Sequence, residues 1–380
     1  MVDQRGALPP AGDIVIFQPE FVEFGGEERV ILSLSEGLHA QGKAHSVLCY
    51  HDHIDLADYA RLPLRVYPLN PPTSAMARVW ALRQALLRLR EEGAPVPVLF
   101  SIQSALHAGL AGLPGGLPFH VRIPDTYRLL APPRATEQSP QTRLTLWAQH
   151  WATQRGVRAA SRLVTNTQAL ANEMQQLYQR RAEVIYLGGF GQAMPDSPPR
   201  TASPVELLSV SRLQASKRID WILRALAALP QGKGSPGAVP PWRLHVVGDG
   251  PEREALQALG KSLGLADQVV FHGFVGDDQL DALYERSHVF LMPAIQGYGL
   301  PAIEALYRHS AVVMNEESGA AEILAGTPWV SVAAAGEPAF HTAVRDMLVQ
   351  VAQPGFFEQP LPPLPSMQTW ARDLIARLGW

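Results

Sequence analysis

Cys49 is the single cysteine in 380 residues, which rules out an intrachain disulfide framework and fits a reducing compartment. Long apolar runs are lacking as well. No stretch approaches the roughly 20 apolar residues of a membrane span, and Met1-Val-Asp-Gln-Arg-Gly lacks the apolar centre of a signal peptide. Neither charge is in excess: 32 Lys and Arg against 35 Asp and Glu leave a net charge of -3. This balance gives no general case for a nucleic-acid partner, so any attraction for anions must be local. No internal repeat of about 20–50 residues points to a solenoid. Together these absences predict a soluble, cytoplasmic protein. Its length exceeds one ordinary core and predicts two domains.

Apolar segments alternate with helical patterns along the chain. Ile14 to Gln18 reads as a strand, followed by Gly25-Gly26 and a helix in which Val30, Ile31, Leu34 and Leu38 share one face. A second strand covers Ser46 to Tyr50, and strand, glycine loop, helix, strand is the opening of a parallel βαβ unit. Further strands are predicted at Leu64–Leu69, Val96–Ser101, Phe119–Ile123, Leu163–Asn166 and Val184–Leu187, with helices over 75–90, 142–160 and 168–178. The stretch from Gly188 to Pro204 is rich in Gly, Pro and Ser and reads as a connection. Alternation then resumes with strands at Val205–Ser211, Arg243–Val247, Val269–Phe271, Val289–Met292, Ala311–Met314 and Trp329–Val332. The expected architecture is α/β, two Rossmann-like doubly wound domains facing a central cleft. Its boundaries are 1–190, a linker over 191–204, a second domain over 205–365 and a terminal helix over 366–380 that crosses back to the first domain.

One stretch of the second half carries the chemistry. An apolar strand ending at Ala294 runs into Gln296-Gly-Tyr-Gly-Leu-Pro-Ala-Ile-Glu304. A glycine turn from strand into helix points the N–H groups of Gly299 and Leu300 outward, where the helix dipole favours an anion. Pro301 suits the first turn because the N–H it lacks would be unpaired there. Glu304, one turn further in, is placed to accept hydrogen bonds from hydroxyls beside that anion. A phosphate next to vicinal hydroxyls describes a nucleotide.

Several motifs in order resemble the GT-B fold retaining glycosyltransferases of family four, glycosyl transferases group 1. They are Ser211-Arg-Leu-Gln-Ala-Ser-Lys217, Val247-Gly-Asp-Gly-Pro-Glu252, Val270-Phe-His-Gly-Phe274, Gly297-Tyr-Gly-Leu-Pro-Ala-Ile-Glu-Ala305 and Ser318-Gly-Ala-Ala-Glu-Ile323. Phe24-Gly-Gly-Glu-Glu-Arg-Val30 is similar to the family's acceptor-side glycine loop. The resemblance implies transfer of a sugar from a nucleotide-diphosphate donor to a hydroxyl of a glycan, lipid-linked or small-molecule acceptor. Arg212 and Lys217 would hold the diphosphate, Glu304 the ribose, and the backbone at Gly273 and Phe274 the base. Gly25, Gly26, Gly297, Tyr298, Gly299 and Leu300 would complete the donor site. No cofactor and no metal is implied, because basic side chains and helix dipoles can neutralise the phosphates.

Two departures stand out. Gln296 occupies the place of the first of the family's paired glutamates; an amide keeps the size and one acceptor but loses the charge and gains two N–H donors. Pro124 stands where relatives carry a histidine beside the reacting sugar. His120, four residues earlier, reads as a core or strand-face residue, which leaves Arg122 or Asp125 to meet the donor. These departures keep two other readings open, a non-catalytic nucleotide-sugar or glycan-binding scaffold and a GT-B nucleotide-sugar epimerase. His51-Asp-His-Ile-Asp55 has metal-ligand residue types but no distant partner set to complete a site. The basic amphipathic pattern over 77–90 either packs Val79, Leu82 and Leu86 on its own sheet or makes peripheral membrane contact, as such surfaces do in lipid-acceptor relatives.

Overall fold

The computed structural model describes residues 8–111, 118–125, 140–200, 203–230, 239–296 and 298–380, and only the backbone of 140–144. The chain divides into two compact units, Met1–Leu187 with Met367–Trp380, and Gly188–Ser366.

The first unit is built on a parallel sheet. Its strands are β1 (Ile14–Phe17), β3 (His45–Cys49), β5 (Val66–Pro68), β6 (Val98–Phe100), β7 (His120–Ile123), β8 (Arg162–Thr165) and β9 (Glu183–Val184), in the order β5-β3-β1-β6-β7-β8-β9. A two-residue pair, β2 (Glu20–Phe21) and β4 (His51–Asp52), links the loops that leave β1 and β3. Helices cover both faces of such a sheet, so its strands are apolar throughout instead of alternating. β1, Ile-Val-Ile-Phe, is buried at all four positions.

Two of the covering helices, Ile102–Leu110 and Pro140–Ala159, approach to backbone contact. A Cβ on Gly109 would lie 1.8 Å from the Ala152 carbonyl oxygen, and one on Gly156 would lie 1.8 Å from that of Ala105. Only glycine fits either position. The helix Met367–Leu378 belongs to this unit and packs on Gly26–Ala40, where Gly37 leaves room for Ala371. Trp370 is buried, and the Trp380 indole donates to the Val96 carbonyl at 2.9 Å.

The second unit repeats the plan with β10 (Val205–Val210), β11 (Trp242–Val247), β12 (Val269–Gly273), β13 (Val289–Met292), β14 (Ala311–Asn315) and β15 (Val330–Ala333). All pair in parallel, in the order β12-β11-β10-β13-β14-β15. Residues 191–200, within the stretch 191–204 expected as a linker, pack on this unit. Met194 donates its N–H to the Tyr307 carbonyl at 2.8 Å, and the Arg200 guanidinium donates to Ser287 O at 2.8 Å while lying 4.7 Å over the Phe357 ring.

In each sheet the strand order reverses at one point, between β1 and β6 and between β10 and β13. The loops that leave the carboxyl ends of those strands diverge to opposite faces and open a crevice, the usual ligand position in an open α/β sheet.

Candidate functional site

The turn after β10 and the loop after β13 meet at the second switch point. Arg212 is exposed on the first of them, and a short helical turn, Ala215–Lys217, follows. Ile295 donates its N–H to the Ser216 carbonyl at 2.9 Å, which ties the two segments together. The Lys217 ammonium then donates to the Gln296 amide oxygen at 2.7 Å. The amide nitrogen of Gln296 donates to Met292 Sδ at 2.9 Å and to Ser318 Oγ at 3.2 Å, and Ser318 Oγ donates to the Tyr298 carbonyl at 3.0 Å. Next to Lys217, Arg218 forms an ion pair with Glu317 and lies 4.2 Å over the Trp221 ring, so the loop after β14 is anchored to the same turn. Gln296 is therefore fixed at both ends of its amide, and the acceptor it offers to Lys217 is neutral.

Gly299 follows with φ 109, in the left-handed region. A Cβ there would lie 2.7 Å from Gln296 Nε2, 2.7 Å from Ser318 Oγ and 2.9 Å from Met292 Cε, so only glycine lets the helix Leu300–Tyr307 begin this close to the amide. Ala302 donates to the Gly299 carbonyl at 3.1 Å, Pro301 has no N–H, and the N–H groups of Gly299 and Leu300 precede the helix's own bonds. An anion placed there meets the positive end of the helix and the Lys217 turn together. Glu304 is half-buried one turn inward and accepts from the Tyr284 hydroxyl at 3.2 Å, which orients its carboxylate.

The neighbouring loops pack backbone on backbone. Gly248, φ 119, would drive a Cβ to 1.9 Å from Ser211 O, and Gly250, φ 157, to 2.3 Å from Leu213 O. Leu213 N donates to Asp249 O at 2.8 Å and Gly248 N to Gly273 O at 2.8 Å, so the ends of β10, β11 and β12 are fastened in series. Gly273 has φ 70, and Phe274 beyond it is 88% exposed. The Gly250 N–H, and after it the Arg253 guanidinium, hold the Asp249 carboxyl below its ordinary range.

Not every expected residue reaches this site with its side chain. The Tyr298 ring is buried, so its expected place in the donor site reduces to its backbone. Gly297 lies outside the described residues. Ser318, Met292 and Tyr284 hold site groups but were given no role by sequence; Ser318 opens one of the family-like motifs, and switch-point topology would have pointed to Met292.

In the first unit, Gly25 and Gly26 lie at the start of the helix Gly26–Ala40, and the Gly25 N–H donates to Glu28 at 3.0 Å. Burial, before the smaller effect of Glu27 and Glu23, pushes the Glu28 carboxyl above its usual range. Arg122 corrects the expectation that it meets the donor: its side chain is buried. It donates to both Glu27 oxygens at 2.8 and 2.9 Å and to Asn166 at 3.3 Å, with the Phe100 ring 4.8 Å and the Trp370 ring 5.5 Å away. A guanidinium so enclosed staples the unit together. Asp125 is half-buried just past β7, following Pro124, whose carbonyl accepts from Asn166 at 3.0 Å. His120 is a core residue near Trp380, its pKa lowered to about 4 chiefly by burial. Within His51–Asp55, the Asp52 carboxylate accepts from the Leu56 N–H at 2.9 Å and His51 stacks on His53 at 5.7 Å, so these residues shape a turn.

Residues 193–328 match the family model of glycosyl transferases group 1, and residues 25–188 match that of the glycosyl transferase 4-like domain. The chain belongs to the group 1 glycosyltransferases and has the GT-B fold. It is 30% identical over 249 residues to D-inositol 3-phosphate glycosyltransferase of Streptomyces scabiei, covering 59% of this chain and 49% of that one. It is 28% identical over 212 residues to 2-deoxystreptamine N-acetyl-D-glucosaminyltransferase of Streptomyces fradiae, covering 52% and 47%. The chain thus spans about half the length of these curated relatives. Anabaena HepE in complex with UDP-glucose superposes with a TM-score of 0.65 at 19% identity, over 96% of this chain and 94% of that one.

Proposed function

We propose that the chain is a retaining glycosyltransferase that moves a sugar from a nucleoside-diphosphate donor to a hydroxyl acceptor. The observation that carries this reading is the Lys217 ammonium, held 2.7 Å from a neutral amide beside the open N-terminus of the helix Leu300–Tyr307. Arg212, Lys217 and the N–H groups of Gly299 and Leu300 take the diphosphate, and Glu304 takes the ribose hydroxyls. The backbone at Gly273 and Phe274 borders the base. As the bond from the anomeric carbon to the phosphate oxygen breaks, negative charge grows on the leaving diphosphate, and fixed cations and amide dipoles stabilise it. The acceptor hydroxyl gives its proton to that phosphate and attacks the same face of the sugar, so the configuration is retained without a histidine at position 124. Charge neutralisation then requires no metal, and transfer proceeds in EDTA. For the acceptor hydroxyl we assign Asp125, in the first unit; Asp125→Asn should lower kcat while leaving nucleotide affinity unchanged.

HepE's UDP-glucose and the cyclitol acceptors in the names of the two Streptomyces relatives support a nucleotide-sugar donor and a polyol acceptor. The test is incubation of the purified chain with UDP-, GDP-, ADP- and dTDP-sugars and a cyclitol panel, with the product anomer assigned by NMR. A product of inverted configuration overturns the retaining mechanism. The amide at Gln296 favours one second reading, a binding scaffold that holds donor without turnover, and donor binding with neither hydrolysis nor transfer across the panel would select it.

A further inference from the structure

Two loops of the first unit carry a pair of aromatic side chains to which the donor site gives no role. They leave the carboxyl ends of β1 and β3, at and beside the first switch point. Phe24 from one and Tyr59 from the other stack face to face, ring centroids 4.2 Å apart at 11°, yet they remain 37% and 47% exposed. The mounting is rigid. Tyr50 N donates to Pro19 O at 2.8 Å and His53 N to Phe21 O at 2.9 Å, while Asp52 fixes the start of the turn Leu56–Tyr59 and Glu28 holds the Gly25 N–H. Two aromatic rings are thus pre-organised at the surface instead of being folded into the core.

The surroundings of the rings are acidic. Residues 18–29 and 51–62 contain Glu20, Glu23, Glu27, Glu28, Asp52, Asp55 and Asp58 against only Arg29 and Arg61, a formal charge of -5 within a chain whose total is -3. Arg78 pairs with Glu20 and Arg122 with Glu27. Counting those two pairs as neutral still leaves the loops acidic. Glu23 and Asp58, the chain neighbours of the two rings, are exposed. An aromatic face flanked by carboxylates attracts a cation through the ring quadrupole and through Coulomb's law alike, and it repels a phosphate.

We propose that the Phe24–Tyr59 stack is the acceptor-docking surface and that it selects an amine-bearing acceptor, a cyclitol or sugar ring whose protonated amino group is drawn to Glu23 and Asp58. The name "acceptor" rests on the transferase reading; the ligand chemistry does not. The test is calorimetric titration of the full chain, with and without UDP, by 2-deoxystreptamine, its di-N-acetyl derivative, myo-inositol and inositol 3-phosphate. The diamine binds, the neutral compounds bind about tenfold more weakly or worse, and the phosphate does not bind. Phe24→Ala with Tyr59→Ala, and separately Glu23→Gln with Asp58→Asn, each weaken diamine binding about tenfold. UDP affinity and melting temperature stay unchanged, because all four side chains are exposed. A neutral or phosphorylated cyclitol binding as tightly as the diamine overturns the proposal. So does diamine affinity that survives either pair of substitutions, or the absence of any cyclitol binding under both conditions. Loss of UDP binding with the diamine retained would remove the donor reading and leave this one standing, and the reverse result would do the opposite.

Discussion

Lys217 donates to the neutral Gln296 amide, and in the proposed nucleotide site its ammonium also meets the phosphates. Lys217→Met should therefore weaken UDP binding by about 1.5–3 kcal/mol, the range for a hydrogen bond to a charged group, with the melting temperature unchanged. Gln296→Glu should act in the same direction by placing a carboxylate beside the lysine and the proposed phosphates, at about 1 kcal/mol for a half-exposed position. Calorimetry on the two variants checks both values. Gly299→Ala is expected to cost more than either, because a Cβ would strike Gln296, Ser318 and Met292 at a left-handed φ. Local placement was legible where one motif and one loop coincide, as for Lys217 beside Gln296 and the left-handed Gly299. Placement was not legible where a charge lies on a strand, because alternation gives the face and not its wetness. Arg122 was expected at the donor, and the structure buries it between Glu27, Asn166 and two aromatic rings.

The contact of the helix Ile102–Leu110 with Pro140–Ala159 has no room for a methyl group at either glycine. Gly156→Ala should therefore destabilise the first unit by about 1–3 kcal/mol or more through overpacking, although alanine has the higher helix propensity. Urea unfolding measures the shift, and a neutral or stabilising result would show that the helices can separate freely. The helix Ile102–Leu110 escaped sequence reading because Ile-Gln-Ser-Ala-Leu-His-Ala-Gly-Leu has little polar face and abuts the strand run that ends at Ser101. β2 and β4 escaped because two residues carry no period. The longer parallel strands were legible to within one or two residues, since burial on both faces writes itself as an uninterrupted apolar run.

Across the molecule, buried histidines couple stability to acid. His107, which bonds the Tyr50 hydroxyl at 3.0 Å, and His120 both have pKa values lowered to about 4 from 6.5, chiefly by burial. Between about pH 4 and 6.5 each is neutral in the folded chain and takes up a proton on unfolding. Their stabilisation is therefore complete above pH 6.5 and is lost as pH falls toward 4. The urea midpoint should decline over that window, and His120→Phe should flatten the decline. Composition could foresee two parallel-sheet bodies, since length and strand count require them. It could not say where residues 191–200 pack, because Gly, Pro and Ser mark irregular backbone without naming its partner. On the proposed function, the second unit grips a nucleoside diphosphate at the Lys217 turn. The most direct measurement is calorimetry of the wild-type chain and Lys217→Met against UDP, GDP, ADP and dTDP. Wild type should bind at least one nucleotide, and the variant should bind it about ten- to a hundredfold more weakly. Equal affinity in a folded variant, or no binding by wild type to any of the four, would contradict it.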